Sequence, residues 1–296
     1  MLVTMREILK HANQEGYAVA APNVCSELDA RGALEAAEEL NSPLILDVAF
    51  NANPDLIFFG QYLRLLAAQS KIPVAINLDH GAEYAHAILA IQAGFTSIMV
   101  DRSKLSFEDN VKQVKELVKV AHSVGVTVEA ELGHVGQGEN YENDRNAGLT
   151  DPYMAKEFVD ETGVDCLAVA IGTAHGAYSG EPYLDFELLI KIRDALGKHY
   201  PLVLHGSSGT GNEALKKVCG MGINKVNVAF DLMKAANDAL LKANLQGNAI
   251  YSVWDVMKKG YREKLIQQIE IFGSAEKAWK TEPIGMPRAD IIMKEE

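Results

Sequence analysis

The stretch VAINLDHG, residues 74–81, begins as a buried β-strand and ends with an acid, an imidazole and a glycine. Val74 and Ile76 are typical of a strand that is covered on both faces, as the strands of parallel sheets are. Asp79 and His80 follow with no polar run before them, so the strand carries them directly out of the core. The fold therefore depends on which sheet holds this strand, and the function on what else lies at its carboxyl end.

The rest of the chain repeats the same alternation of an apolar run and a longer amphipathic stretch. The runs that we interpret as strands are VAAPN (19–23), PLILDVA (43–49), VAINLD (74–79), TSIMVD (96–101), VTVEAE (126–131), CLAVAIG (166–172), PLVLHG (201–206) and INKVNVA (223–229). These successive βα units predict one (β/α)8 TIM barrel domain over residues 1–296. We expect a helical extension from about residue 250 that caps the barrel or contacts another copy. A doubly wound open sheet is the alternative, but no GxGxxG pattern follows the first strand.

Composition restricts the partners of the chain. Its formal net charge of -12 argues against a nucleic acid or an anionic membrane as partner. No apolar stretch reaches the roughly 18 residues of a membrane helix. The first residues, MLVTMREILKHANQEG, lack the apolar region of a signal peptide. Cys25, Cys166 and Cys219 have no CxxC spacing, which is typical of a reduced compartment, so we expect a cytoplasmic protein.

Polar side chains gather at the predicted strand ends, where TIM barrels carry their chemistry. The residues at these ends are Asp79, His80, Asp101, Glu131, His175, His205 and Asn227. Three imidazoles that converge with an open fourth position are the pattern of a catalytic zinc site, and a neighbouring carboxylate can set their tautomers. Any one of these histidines alone is more simply a hydrogen-bonded rim residue, so the zinc interpretation depends on all three.

A Gly/Ser turn, HGSSGTG (205–211), follows the seventh predicted strand. Backbone amides of such a turn, next to the start of a helix, can hold an anion. An ordinary turn is the alternative, but phosphate sites of TIM barrels cluster after the seventh and eighth strands.

Together, these motifs resemble those of the class II, metal-dependent ketose-bisphosphate aldolases, which include the fructose-bisphosphate and tagatose-bisphosphate enzymes. The motifs are LDHG (78–81), EAELGHVG (129–136), GTAHGAYSGEP (172–182), LHGSSG (204–209), KVN (225–227) and a terminal FGSAEKA (272–278). Their combination in this order makes the resemblance specific, although each motif alone is not.

The resemblance implies a zinc-dependent aldolase that cleaves a ketose reversibly into a dihydroxyacetone-type fragment and an aldehyde. Zinc would be bound by His80, His175 and His205, with Asp101 and Glu131 near an alternative metal position. The resemblance also implies a monovalent cation, Na⁺ or K⁺, and a homodimer or homotetramer.

Two carboxylates would transfer protons in such an enzyme. Asp79 would handle the proton of the hydroxyl whose C–C bond breaks, and Glu139, in the long polar loop 132–151, would exchange the proton at the nucleophilic carbon. The expected substrate contacts are Asn23, Arg102, Gly176 (also near the monovalent cation), Gly206, Ser208, Asn227 and Phe230.

Departures from the family pattern concern the phosphate at the donor end of the ketose. Phe230 stands where a threonine is usual, Ala49 where a serine is usual, and Ser179 where many members have a lysine. Two substrates therefore stay open: a ketose with a donor phosphate, or one with an anionic group only at C6, a phosphate or a sulfonate as in 6-deoxy-6-sulfofructose. The second ketose would release free dihydroxyacetone.

Arg102 also departs from the pattern, since the family has glycine or alanine at this position. An arginine on the rim can form a fork of hydrogen bonds with an anionic substrate group. A salt bridge to a loop carboxylate is the alternative.

Other classes of protein fit less well. A Schiff-base aldolase needs a buried lysine on a barrel strand, and CLAVAIG has none. A barrel metallohydrolase usually has an HxH pair on its first strand, and VAAPNV has no histidine. A non-catalytic barrel would have no reason to keep the acids and imidazoles together.

Overall fold

The computed structural model describes residues 1–141, 148–281 and 283. Its strands are β1 (Val19–Pro22), β2 (Leu44–Ala49), β3 (Val74–Gly81), β4 (Ser97–Val100), β5 (Thr127–Leu132), β6 (Gly136–Gln137), β7 (Cys166–Val169), β8 (Ala174–His175), β9 (Leu202–Leu204) and β10 (Ile223–Val228). Its α-helices are α1 (Met5–Glu15), α2 (Glu27–Glu39), α3 (Leu56–Gln69), α4 (Tyr84–Ala93), α5 (Phe107–Ser123), α6 (Pro152–Thr162), α7 (Phe186–Leu196), α8 (Asn212–Gly220), α9 (Phe230–Lys242) and α10 (Val253–Phe272).

Eight parallel strands form one sheet in the order β1-β10-β9-β7-β5-β4-β3-β2. The two ends of this sheet meet where Asn23 bridges to Asp47, and the amide of Val24 donates to the Asp47 carbonyl at 2.8 Å. The sheet therefore curves into a barrel with helices between its strands, and the predicted (β/α)8 fold is confirmed.

Helix α1 closes the amino-terminal end of the barrel. Its N-cap Thr4 accepts from the amide of Glu7, and the helix ends at Gly16 with a φ of 74°, in the left-handed region that favours glycine. Its buried face, which includes Ile8 and Leu9, packs with side chains inside the barrel. Those side chains are Val19, Ala21, Ile45, Ala75, Met99, Cys166, Ala168 and Val203.

Polar residues replace apolar ones further along the same inward faces. Ile45 and Ala75 contact the α1 cluster, whereas Asp47 and Asn77, two residues later on the same strands, are buried and hydrogen-bonded to each other at 2.8 Å. The barrel interior thus changes from apolar to charged towards its carboxyl end, which is the end that remains open.

The C-terminal segment is helical, with a 3₁₀ turn at Gly247–Ser252 before α10. Helix α10 packs against α2 and α9 and buries Leu265 and Ile269. Its Tyr261 hydroxyl donates to the Asn23 carbonyl at 2.9 Å, so the segment supports the barrel where the sheet closes. All three cysteines are free. No helix in the described parts of the chain is long and apolar enough to cross a membrane.

We expect Leu9→Ala to lower the free energy of unfolding by about 2–5 kcal/mol, because Leu9 is fully buried and its truncation leaves a cavity between α1 and the barrel. Denaturant unfolding followed by circular dichroism measures the change. Lys10→Ala, an exposed position on the same helix, is the control. Equal unfolding midpoints for the two variants would show that α1 does not plug the barrel.

Candidate active site

Three imidazoles meet at the carboxyl end of the barrel. His80 lies near the end of β3, His175 in β8 and His205 directly after β9. One ring nitrogen of each lies within 4.8 Å of the others. His80 has a φ of 50°, which is uncommon for a residue with a side chain and is typical of functional sites. The short parallel pairing of β6 with β8 places Gln137 beside His175.

Carboxylates set the tautomers of two of these rings. His80 Nδ1 donates to Asp101 Oδ2 at 2.8 Å, and His205 Nε2 donates to Glu129 Oε1 at 2.9 Å. The other two nitrogens, His80 Nε2 and His205 Nδ1, then face each other at 3.0 Å. This is the arrangement in which a carboxylate orients a histidine so that its second nitrogen points at a metal.

Charges act differently on two of the imidazoles. Burial opposes protonation of His80, but Asp79 and Asp101 outweigh it and raise the pKa of His80 to about 10. Burial, together with His205 and His80, lowers the pKa of His175 to about 4. Because metal ligands must be deprotonated, a bound cation would displace the proton from His80 and find His175 already neutral.

Asp79 is buried at the same mouth and is held by two amides. Asn23 Nδ2 donates to its Oδ2 at 2.8 Å, and Asn227 Nδ2 donates to its Oδ1 at 3.0 Å. Burial would raise the pKa of Asp79, but His80, His205 and a nearby lysine hold it at about 2. The carboxylate is therefore ionised at neutral pH and can accept a proton.

Beneath this mouth lies a buried lysine that the sequence analysis did not single out. Lys225 Nζ lies 2.9 Å from Glu129 Oε2, 2.8 Å from Asn227 Oδ1 and 3.1 Å from Asp47 Oδ2. Burial opposes the charge of Lys225, but Asp47 and Glu129 hold its pKa above its ordinary value. A protonated amine is not a nucleophile, so Lys225 does not revive the Schiff-base alternative.

One signal in the sequence could have found this lysine. Lys225 and Asn227 are two residues apart on β10, so they lie on the same inward face as each other. The same reasoning joins Glu129 to Glu131 on β5. Lys225 and Glu129 are the deeper residues of these two pairs, and a search restricted to the outermost polar residue of each strand does not find them.

A cavity of about 360 Å³ opens beside the imidazoles. Its lining residues are Asn23, Asp79, His175, Gly176, Gly206, Ser207, Ser208, Asn227, Ala229, Phe230 and Met233. All the expected substrate contacts except Arg102 are among them. Gly206 has a φ of 67°, and a Cβ there would lie 2.5 Å from the Ala174 carbonyl oxygen, so only glycine fits after His205.

Comparisons with known proteins decide the family. A model of the family described as fructose-bisphosphate aldolase class-II matches residues 3–277. The chain belongs to this family. It is therefore an aldolase, a carbon–carbon lyase.

Individual relatives extend the match over the barrel. The chain is 38% identical over 313 residues to a fructose-bisphosphate aldolase of Thermus caldophilus, a match that covers 94% of this chain and 100% of the relative. The crystal structure of the YdjI aldolase from Escherichia coli K12 is similar with a TM-score of 0.85 and 35% identity, over 94% of this chain and 100% of that chain. A putative fructose-1,6-bisphosphate aldolase of Coccidioides immitis has a TM-score of 0.83 and 27% identity, over 92% of this chain and 97% of that one.

The histidine cluster of this class II aldolase fits a zinc ion. Tetrahedral zinc with Zn–N bonds of about 2.0–2.1 Å places two ligand nitrogens about 3.3 Å apart, close to the 3.0 Å between His80 Nε2 and His205 Nδ1. Glu131 Oε2 is buried without a hydrogen-bond partner among the described residues and lies 3.7 Å from His205 Nδ1. His80, Asp101 and Glu131 form a second cluster with metal-ligand spacing, as expected for the alternative position.

Substrate binding by Arg102 stays a prediction, and its side chain lies away from the described pocket. The side chain is buried and is absent from the residues that line the described pocket. Its guanidinium donates to the carbonyls of Gly81 and Asp101, each at 2.8 Å, and to Gln113 Oε1 at 2.6 Å. These backbone and amide acceptors satisfy the arginine inside the structure, and the salt bridge considered as the alternative is not formed within the described residues.

Glu139 lies outside the pocket. It is exposed on the 3₁₀ helix Gly138–Asn140, so its role in proton exchange stays a prediction. Residues 142–147 of the same loop lie outside the described residues. Ala49 and Ser179 do not line the described cavity either, which leaves Phe230 as the departure from the family pattern that does.

We expect Asp79→Asn to reduce aldol cleavage by about 100-fold or more, because the amide cannot accept the proton that the carboxylate takes. The variant should still bind metal if the three imidazoles are its ligands, since Asp79 does not belong to that cluster. Steady-state cleavage rates and metal content per chain measure the two effects. Glu116→Gln, an exposed change on α5, is the control. Cleavage by Asp79→Asn at the wild-type rate would remove Asp79 from the mechanism.

Proposed function

We propose that this class II aldolase is zinc-dependent and cleaves a ketose into a dihydroxyacetone-type fragment and an aldehyde. The observation that supports the proposal is the meeting of His80, His175 and His205 beside an ionised Asp79 at the mouth of one cavity. Zinc held by the imidazoles would supply Lewis acidity to the oxygens at the donor end of the ketose.

The protein's own residues would supply the proton transfer. Asp79 would accept the proton of the hydroxyl whose C–C bond breaks, and return it in the direction of synthesis. Asn23 and Asn227 fix this carboxylate in the cavity wall, so no reorientation is needed during the reaction. A positioned general base of this kind contributes about 10²–10⁴-fold in rate.

Removal of zinc should abolish turnover. We expect dialysis against a chelator to lower activity more than about 10-fold and added zinc to restore it, because second-sphere groups alone cannot replace the ligated ion. His205→Ala should lose bound zinc and nearly all cleavage, whereas His199→Ala, an exposed histidine, should lose neither. Metal content by elemental analysis and cleavage rate are the measurements. Full activity of a zinc-free enzyme would refute zinc dependence.

We further infer that the donor end of the ketose is not phosphorylated, so that free dihydroxyacetone is released. Phe230 and Met233 contribute an apolar wall to the cavity. Among the described residues that line it, none is a lysine or an arginine. The Ser208 hydroxyl already accepts from the Asp231 amide at 3.2 Å, which occupies one donor at the start of α9. A phosphate dianion would therefore be desolvated with few partners, which is costly.

The anionic group would then lie at the far end of the ketose, as a C6 phosphate or a sulfonate. The guanidinium of Arg102 donates to Gly81, Asp101 and Gln113, so Arg102 would have to turn towards the cavity to become its partner. The competing substrate is a ketose bisphosphate. Relatives such as the Thermus caldophilus protein are named as fructose-bisphosphate aldolases. A substrate panel separates the two.

We expect wild type to have a higher kcat/KM for fructose 6-phosphate or 6-deoxy-6-sulfofructose than for fructose 1,6-bisphosphate. Phe230→Thr should raise kcat/KM for the bisphosphate by about 10-fold or more over Phe230→Val, because the two variants have the same shape and only threonine donates to a charged phosphate. A strong wild-type preference for the bisphosphate, or equal values in the two variants, would end this inference.

Three further expectations stay predictions: a monovalent cation near Gly176, a homodimer or homotetramer, and a cytoplasmic location. Gly176 lies in the cavity wall, and the space where its Cβ would lie is open to 4 Å, which leaves room for a ligand beside it. Light scattering of the purified protein measures the oligomeric state, and activity in potassium, sodium or bulky organic cations tests the monovalent ion.

A further inference from the structure

We propose that Lys225 is a positioning residue whose ammonium sets the orientation of both a zinc ligand, His205, and the proton acceptor, Asp79. The inference rests on the proposed function, because it assigns a cause to the geometry of those two residues. Among the described residues, Lys225 does not line the cavity and its polar partners are Glu129, Asn227 and Asp47, so it would act on the site through these neighbours.

The ammonium of Lys225 is fully buried and is surrounded by oxygens. It carries three N–H donors, and three oxygens lie within 3.1 Å of it, from Asp47, Glu129 and Asn227. Glu129 and Asn227 accept hydrogen bonds from the ammonium, and Asp47 Oδ2 contacts it as an ion pair without a hydrogen bond. A group with this geometry has one preferred arrangement, and so do the side chains that accept from it.

One branch of this contact leads to the metal ligand. Glu129 accepts from Lys225 at one oxygen and from His205 Nε2 at the other, at 2.9 Å in both cases. Because Lys225 holds the carboxylate in place, Glu129 keeps the proton of His205 on Nε2. The lone pair on Nδ1 then points at the other imidazoles, as a ligand must.

The other branch leads to the proton acceptor. An asparagine side chain can be turned over, with its oxygen and nitrogen exchanged, at little cost in shape. Lys225 donates to Asn227 Oδ1 at 2.8 Å, which leaves Nδ2 to donate to Asp79 Oδ1 at 3.0 Å. Without the ammonium, the amide of Asn227 could present its oxygen to Asp79 and repel the carboxylate.

The simpler alternative is that Lys225 only neutralises buried carboxylates. Removal of one partner of a buried ion pair is strongly destabilising, so a loss of stability alone would not separate the two roles. A change at Asp47 distinguishes charge neutralisation from positioning. Asp47 contacts the ammonium at 3.1 Å, but the hydrogen bonds of its side chain in the described structure lead to Asn77 and not to a zinc ligand or Asp79.

The experiment uses the zinc-loaded enzyme and three variants: Lys225→Met, Asp47→Asn and the charge-compensated double variant Asp47→Asn/Lys225→Met. Zinc affinity is measured by competition with a chromophoric chelator, and the ligand field by the visible spectrum of the cobalt-substituted protein. Melting temperature, kcat and KM complete the set. Zinc competition and the cobalt spectrum do not depend on turnover.

We expect Lys225→Met to weaken zinc binding by about 10- to 100-fold and to lower kcat by a similar factor with little change in KM. The cobalt spectrum should shift. Asp47→Asn should keep zinc affinity and kcat within about 3-fold of wild type, because the Glu129 and Asn227 branches remain intact. The double variant should recover melting temperature relative to Lys225→Met but neither zinc affinity nor kcat, and it carries the test if Lys225→Met does not fold.

Wild-type zinc affinity and kcat in either variant that lacks Lys225 would overturn the inference. So would a double variant in which both values recover together with the melting temperature, since that is the behaviour of a purely stabilising charge. Failure of the proposed function looks different: wild type itself would bind no zinc or cleave no ketose.

Discussion

A single buried ammonium allows this barrel to carry acids from its core to its mouth. An isolated carboxylate inside a barrel is very costly, and Asp47 and Glu129 are both fully buried. Lys225 lies between them and favours the ionised form of both: the pKa of Glu129 falls below its ordinary value, whereas burial still raises the pKa of Asp47 to about 8. The strands can therefore end in two further acids, Asp79 and Glu131, because the carboxylates in the charged layer below them are paired with a positive charge.

The charged layer also divides the barrel into two parts. Below it, α1 and apolar side chains such as Ile45 and Met99 form a packed plug that contributes stability. Above it, His80 and His205 are held by hydrogen bonds to Asp101 and Glu129. Stability and chemistry thus occupy opposite ends of the strands, as in other TIM barrels. The backbone register of the sheet places both sets of side chains at once.

Local sequence pattern was sufficient to predict the fold and the polar residues at the carboxyl ends of the strands. Apolar runs that end in Asp79–His80 or at His205 reveal both the strand and its polar end, because strand direction determines which end is exposed. Local sequence pattern was insufficient for Lys225. Its partner Glu129 lies 96 residues away in the chain, and the two residues meet only inside the barrel. Local pattern also does not decide the role of Arg102, because a rim position does not tell whether a long side chain turns to solvent or back to carbonyls such as that of Gly81.

Chemistry and specificity depend on different parts of the same site. The imidazoles and Asp79 are fixed by strands and by a hydrogen-bond network, in which a change at one residue disturbs several others. Phe230, by contrast, is the first residue of α9 and is 43% exposed, with no side-chain hydrogen bond to lose. A substitution there alters the polarity of the cavity wall while the imidazoles and Asp79 stay in place. Because of this separation, we propose that position 230 is where this chain's preference at the donor end of the ketose is decided.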